Sequence, residues 1–224
     1  MVEKKEKKIE GKIPKNPEIS KKEEIEKQNK ILRNVLITLG VLVVIIILAI
    51  FIIKSSTTFK YKGVKFDTVK EGDLIFYHTS FPIVYSDPSS ISGETILADY
   101  NIYLRNDPRE LEKKVPAKGP IISIEDTAIN MTEDFNCNGD GIIAIANLIN
   151  LYNALGKEIM KDENATCDSQ GRYMILDIRS GNSTSIENFG PNCYYIHIND
   201  CEMLEGTERF ILGMLVKINR DLSS

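Results

Sequence analysis

The sequence predicts an α+β protein, with an N-terminal transmembrane helix followed by an extracytoplasmic domain of antiparallel β-sheet and two main packed helices. Three observations carry this prediction. Residues 35–53 are 19 consecutive residues without a charge. Beyond them, alternating strand-like segments come first and apolar helical segments later, an order that fits helices packed on an antiparallel sheet. All four cysteines fall in the last 171 residues, C-terminal to the apolar run.

The apolar run divides the chain into a charged tail (1–34), a span (35–53) and a domain (54–224). As a helix, 19 residues rise about 28 Å, close to the hydrocarbon thickness of a bilayer. A core helix rarely runs so long without a polar stripe. A cleaved signal peptide has about 7–15 apolar residues behind a short basic start. Here 34 residues precede the run, and no small-x-small cleavage site comes after it. The run also lacks the early Glu expected of a type IV pilin, and no cysteine at its boundary suggests a lipoprotein.

Charge sets the expected orientation. Residues 1–34 carry 11 Lys+Arg against 7 Glu, net +4. Of the chain's 28 basic and 32 acidic residues, 17 and 25 remain beyond the tail, net −8. A basic tail inside and an acidic domain outside obey the positive-inside tendency. Cysteines confined to one side suit disulfides in an oxidising compartment. The sequons at Asn130, Asn164 and Asn182 lie in the same domain and are the glycosylation candidates. The Lys- and Glu-rich tail cannot bury enough apolar surface to fold alone. Pro14 and Pro17 break its first half, and Ser20 with Glu23 has the capping-box spacing for a helix that runs into the span. The tail's lysines set topology and can meet anionic lipid headgroups. Residues 55–58 read as a linker.

The domain opens as a β-meander. Phe59 and Tyr61 alternate with lysines, Lys62-Gly63 makes a turn, and Val64, Phe66 and Val69 lie on the return strand. Glu71-Gly72-Asp73 is the next turn, before a strand at 74–79. Pro82 and Asp87-Pro88 confine the next segment to edge strands and loops, with a Ser-rich loop at 86–95. Residues 98–104 alternate as a strand. Asp107 caps a short helix with Pro108 at its first position, and Pro116 and Pro120 end it. A strand at 121–124 and a helix at 142–155 come next. That helix is apolar except for the strip Asn147, Asn150 and Asn153, so it is expected to be largely buried. Strands at 173–179 and 194–198 flank a Gly/Ser/Asn-rich loop at 180–192. A closing helix at 203–218 carries a capping-box pattern, Asn199 with Glu202, and an i,i+4 pair, Glu205 with Arg209.

The sharpest local motif is 136–147, NCNGDGIIAIAN. It resembles the calcium loop of EF-hand and dockerin-type modules, with Asn136, Asn138 and Asp140 at the first, third and fifth ligand positions, a glycine at the sixth and Ile143 at the eighth. The twelfth position, Asn147, lacks the usual acid. The motif therefore implies a weak calcium site at most, and the alternative is a Gly/Asn turn that caps the next helix. No other cofactor is implied.

Catalytic constellations are thin. The two histidines, His78 and His197, sit in strands. His197 shares a strand face with Cys193, but a Cys–His nucleophile needs a free thiolate. Glu125, Asp126, Glu133 and Asp134 cluster in sequence without being paired, and Arg105 and Arg109 flank a turn. Nucleophile-elbow, zinc-protease, phosphate-loop and dinucleotide motifs are all missing. A net −8 domain without a basic run argues against nucleic acid.

Four cysteines allow three pairings. If the strands at 173–179 and 194–198 form an antiparallel hairpin, Cys201 falls near Cys167. That leaves Cys137 to pair with Cys193.

The run 100–109, YNIYLRNDPR, together with Cys137, Cys167, Cys193 and Cys201, resembles a family of small membrane-anchored proteins of ultra-small, DPANN-type archaea. The resemblance implies membrane anchoring and an archaeal source, and no activity. The expected function is a non-enzymatic cell-surface module for binding, assembly or sensing, in contact with membrane lipid and other envelope proteins. A membrane-tethered extracytoplasmic hydrolase is the alternative.

Overall fold

The computed structural model describes residues 17–86, 95–121, 124–135 and 137–223. The chain divides into two units, Met1–Ser55 and Ser56–Ser224. The first is most of one helix, α1 (Pro17–Thr57). Pro17 opens this helix rather than breaking the tail, in keeping with its missing N–H and preset φ. Ser20 therefore lies inside the helix rather than at its cap. The stretch Ile25–Ile50 has a mean hydropathy of 2.7 and none of it is buried, so it is long and apolar enough to cross a membrane. Its Thr38 hydroxyl donates to the carbonyl of Asn34 at 2.9 Å, which removes a loose polar group from the apolar run.

No linker separates the helix from the domain. The first strand, β1 (Thr58–Tyr61), begins where α1 ends. It pairs antiparallel with β2 (Val64–Glu71), β2 with β3 (Leu74–Ser86), and β3 with β4 (Thr95–Leu104), as a four-stranded meander. The inward face is aromatic. Phe66 and Leu104 are fully buried. Phe59 stacks on its cross-strand partner Phe66 at 5.6 Å, and Tyr77 meets Phe59 edge-on at 6.0 Å. Pro82 lies in β3 beyond His78, where β3 has β4 as its only neighbour, so its missing N–H breaks no second ladder. The Ser-rich loop lies almost entirely outside the described residues.

Asp107 caps α2 (Pro108–Lys114), its carboxylate accepting from the Arg109 amide at 2.9 Å. Beyond it lies a second sheet of six strands: β5 (Ala117–Lys118), β6 (Thr127–Met131), β7 (Ile159–Lys161), β8 (Met174–Ser180), β9 (Ser185–Gly190) and β10 (Cys193–Ile198). Their order is β5-β9-β10-β8-β6-β7. All neighbours run parallel except β9 and β10. This sheet departs from the sequence reading in three ways. Ile121 and Ile124 are not in a strand, residues 122–123 lie outside the described ones, and the nearest strand is β6. The Gly/Ser/Asn-rich segment 180–192 contains β9. Strands β8 and β10, expected as a hairpin, are parallel neighbours.

Two main helices complete the domain, α3 (Asp140–Ala154) and α4 (Met203–Leu222). The two pack on each other, and α4 touches β2 of the first sheet as well as β9 and β10 of the second. Contact with α3 and with both sheets explains why Leu204, Phe210, Ile211, Leu212 and Leu215 are all buried. Gly206 permits the close approach: a Cβ there would lie 2.6 Å from Ile198 Cδ1. The expected capping box does not form. The Glu202 carboxylate instead accepts from the Thr184 hydroxyl at 2.5 Å and pairs with Lys114 at 3.3 Å. Glu205 likewise pairs with Lys114 at 2.9 Å rather than with Arg209.

Candidate functional site

All four candidate cysteines are bridged, but the partners differ from those expected. Cys137 pairs with Cys201, with Cα atoms 5.3 Å apart, and Cys167 with Cys193 at 5.8 Å. The reason is strand direction. In the parallel register Cys193 lies beside Ile175, at the start of β8, next to the segment that carries Cys167. Cys201 comes after the far end of β10, near the turn that starts α3. With Cys193 bridged, His197 has no thiol partner.

The described ligand positions of the 136–147 motif do not converge on one point. Asn136 lies outside the described residues. Asn138 sits exposed in a 3₁₀ turn with φ +57°. Asp140 is the first residue of α3, and its carboxylate accepts from Arg105 Nη1 at 3.1 Å. The helix thus begins at the fifth position of the twelve-residue pattern. Asn147 is then wound two turns along, about 10 Å from Asp140, and faces β4 across a cavity with Asn150. Asn138, Asp140 and Asn147 are not brought together. No group of three or more His, Cys, Asp or Glu side chains placed to hold a metal occurs among the described residues.

The other singled-out residues are also held apart. Glu125 pairs with Lys157 at 3.0 Å, Asp126 accepts from the Glu158 amide at 2.9 Å, and Glu133 accepts from Ser180. His78 bonds Asn101 at 2.9 Å beneath Tyr103. Arg109 bonds Asp107 and stacks over Phe59 at 4.0 Å. Asn164 and Asn182 are exposed in turns, whereas Asn130 is half-buried in β6 between β7 and β8.

Two concavities are better formed than any predicted site. The first is a groove of about 510 Å³ over α3, lined by Met131, Phe135, Ile142, Ile145, Ile149 and Met203. Ile142 is 66 % exposed there, so α3 is less buried than its composition suggested. The second is a cleft of about 280 Å³ between the β1–β2 turn, α2, β5 and α4. The Lys62-Gly63 turn is seated on α4. Gly63 has φ +91°, and a Cβ there would lie 2.8 Å from Asn219 Nδ2. Glu112 stands at the centre of the polar wall, accepting from Tyr61 Oη and Lys62 Nζ and lying 3.7 Å from Arg209. The Lys62 and Tyr61 donors hold the Glu112 carboxyl below its usual range, while burial pushes the Tyr61 phenol up. Arg209 is anchored by its Nε, which donates to the Val115 carbonyl at 3.1 Å. Lys217 and Arg220 continue the basic wall, and Ile121 and Val216 supply apolar surface over the buried Phe210.

Sequence reasoning did not find this cleft, because its residues come from segments far apart in the chain. One signal was present. Arg209 and Arg220 are eleven residues apart, about three helical turns, so they share a face of α4 with Lys217 beside them. No protein-family model matches the chain, and no curated protein or solved structure does either.

Proposed function

We propose that this is a single-pass membrane protein whose N-terminus is cytoplasmic. Its C-terminal domain works on the extracytoplasmic side as a non-enzymatic module for binding, assembly or sensing. The observation that carries this reading is the chain's order: an exposed apolar helix, then a domain in which all four cysteines are bridged. Disulfides belong to oxidising compartments, and the net +4 tail suits the cytoplasmic face. The binding role rests on the two concavities, and the non-enzymatic reading on Glu125, Asp126, Glu133 and His78 each being held by a different neighbour. Membrane lipid and other envelope proteins are the expected partners.

A membrane-impermeant thiol reagent tests the topology. Applied to intact cells after mild reduction, it should label the cysteines of the domain. Labelling only after lysis would reverse the orientation and remove the case for a surface module.

A further inference from the structure

In a domain of net −8, the cleft beside Glu112 is a local reversal of charge. Its lining carries Lys62, Arg209, Lys217 and Arg220 against one acid, Glu112. Asp221 holds Lys217 along the helix. Counting it, two positive charges remain in excess. Glu112 takes Lys62 and Tyr61 as donors and lies 3.7 Å from Arg209, so this one carboxylate is shared between two cations. Arg220 is exposed, lines the cleft and has no ion-pair partner among the described residues. The cleft also has apolar lining at Ile121 and Val216, and Ile121 is drawn onto α4 at Gly213, where a Cβ would lie 2.8 Å from Ile121 Cδ1.

We infer that this cleft binds an amphiphilic organophosphate. The phosphate sits between Lys62 on the turn and Lys217 and Arg220 on α4, and the first carbons of the apolar part lie on Ile121 and Val216. Cations reach in from two walls, which suits an anion with oxygens on several sides better than a flat carboxylate. Desolvation by the apolar wall strengthens the charge contacts. A phospholipid headgroup and a soluble phosphate ester share this chemistry. Lys62 lies five positions beyond the last residue of α1, so phospholipid is the first source to test.

The test uses the full chain in phosphatidylcholine nanodiscs, which expose both faces and so make the result independent of the orientation proposed above. Hexyl phosphate is titrated at low salt while the thermal unfolding midpoint is tracked. A parallel set of discs contains phosphatidylglycerol. A midpoint raised by hexyl phosphate supports a soluble ester, and one raised only by phosphatidylglycerol supports a lipid. In either case Arg220→Gln with Lys217→Gln should weaken binding at least about tenfold, the loss expected for charge-assisted contacts. Both residues lie in the last turns of α4, and neither is among the buried core residues. Lys161→Gln, on the far sheet edge, should leave binding unchanged. No shift in either set of discs, or an equal loss in Lys161→Gln, overturns the proposal.

Discussion

At Glu208 the chain buries a carboxylate completely and surrounds it with donors. The Arg105 amide reaches Oε1 at 2.7 Å, and the Asn106 amide and side chain reach Oε2 at 2.9 and 2.8 Å. These bonds fasten the segment after β4 to the middle of α4. Burial pushes the carboxyl up, and the three donors pull against it without prevailing. Glu208→Gln keeps the shape but turns one acceptor into a donor facing N–H groups. It should lower stability by about 2–3 kcal/mol, read from urea unfolding. Asp168 is the opposite case. The Arg172 guanidinium and amide, helped by the Gln170 amide, hold its carboxyl down to about 2. A carboxyl lowered by folding contributes stability above its usual value and loses it as pH falls toward the folded one. Between pH 4 and 2 the wild-type unfolding midpoint should therefore drop more steeply than that of Asp168→Asn. Parallel slopes would remove Asp168 from the account.

Among the elements, the two disulfides do different amounts of work. Cys137–Cys201 closes a separation of 64 residues and ties the start of α3 to the start of α4, whereas Cys167–Cys193 closes 26. Chain entropy assigns them about 4.3 and 3.5 kcal/mol. Replacing Cys137 and Cys201 by Ser should accordingly cost more than replacing Cys167 and Cys193. Non-reducing peptide maps should show the 137–201 link, and a peptide joining Cys167 to Cys201 would contradict the strand order. The meander was legible in the sequence because its strands alternate and glycines mark its turns at Gly63 and Gly72. Helices α3 and α4 were legible from their apolar periodicity, and the membrane-length helix from its lack of charge. Neighbours in the second sheet were not legible. Local pattern shows that 173–179 and 194–198 are strands but carries nothing about parallel or antiparallel pairing, which the intervening β9 decides. That strand hid in a segment whose Gly, Ser and Asn content reads as loop. The cysteines were thus found but their partners mistaken, and the basic cleft went unseen because Tyr61, Glu112 and Arg209 meet only after both sheets have closed on α4.

Across the whole molecule, charge and apolar surface are distributed unevenly. A helix with an uncharged run at 35–53 precedes an acidic domain, and within that domain one cleft is basic and one groove is apolar. The domain is also held by two nested rings, since Cys167 and Cys193 both lie between Cys137 and Cys201. The exposed segment at Asn182 and Ser183, between β8 and β9, is an accessible place for a protease to enter. A cut there leaves Cys137 and Cys167 on one fragment and Cys193 and Cys201 on the other. Limited proteolysis should then yield a product that migrates as one band without reductant and as two with it. Two bands without reductant would mean that neither bridge spans the cut. Because both bridges join the fragments, the severed C-terminal piece, with α4 and most of the basic wall, stays coupled to the helix that precedes the domain. Shedding it takes a reductant as well as a protease, so for this protein release is a two-key event.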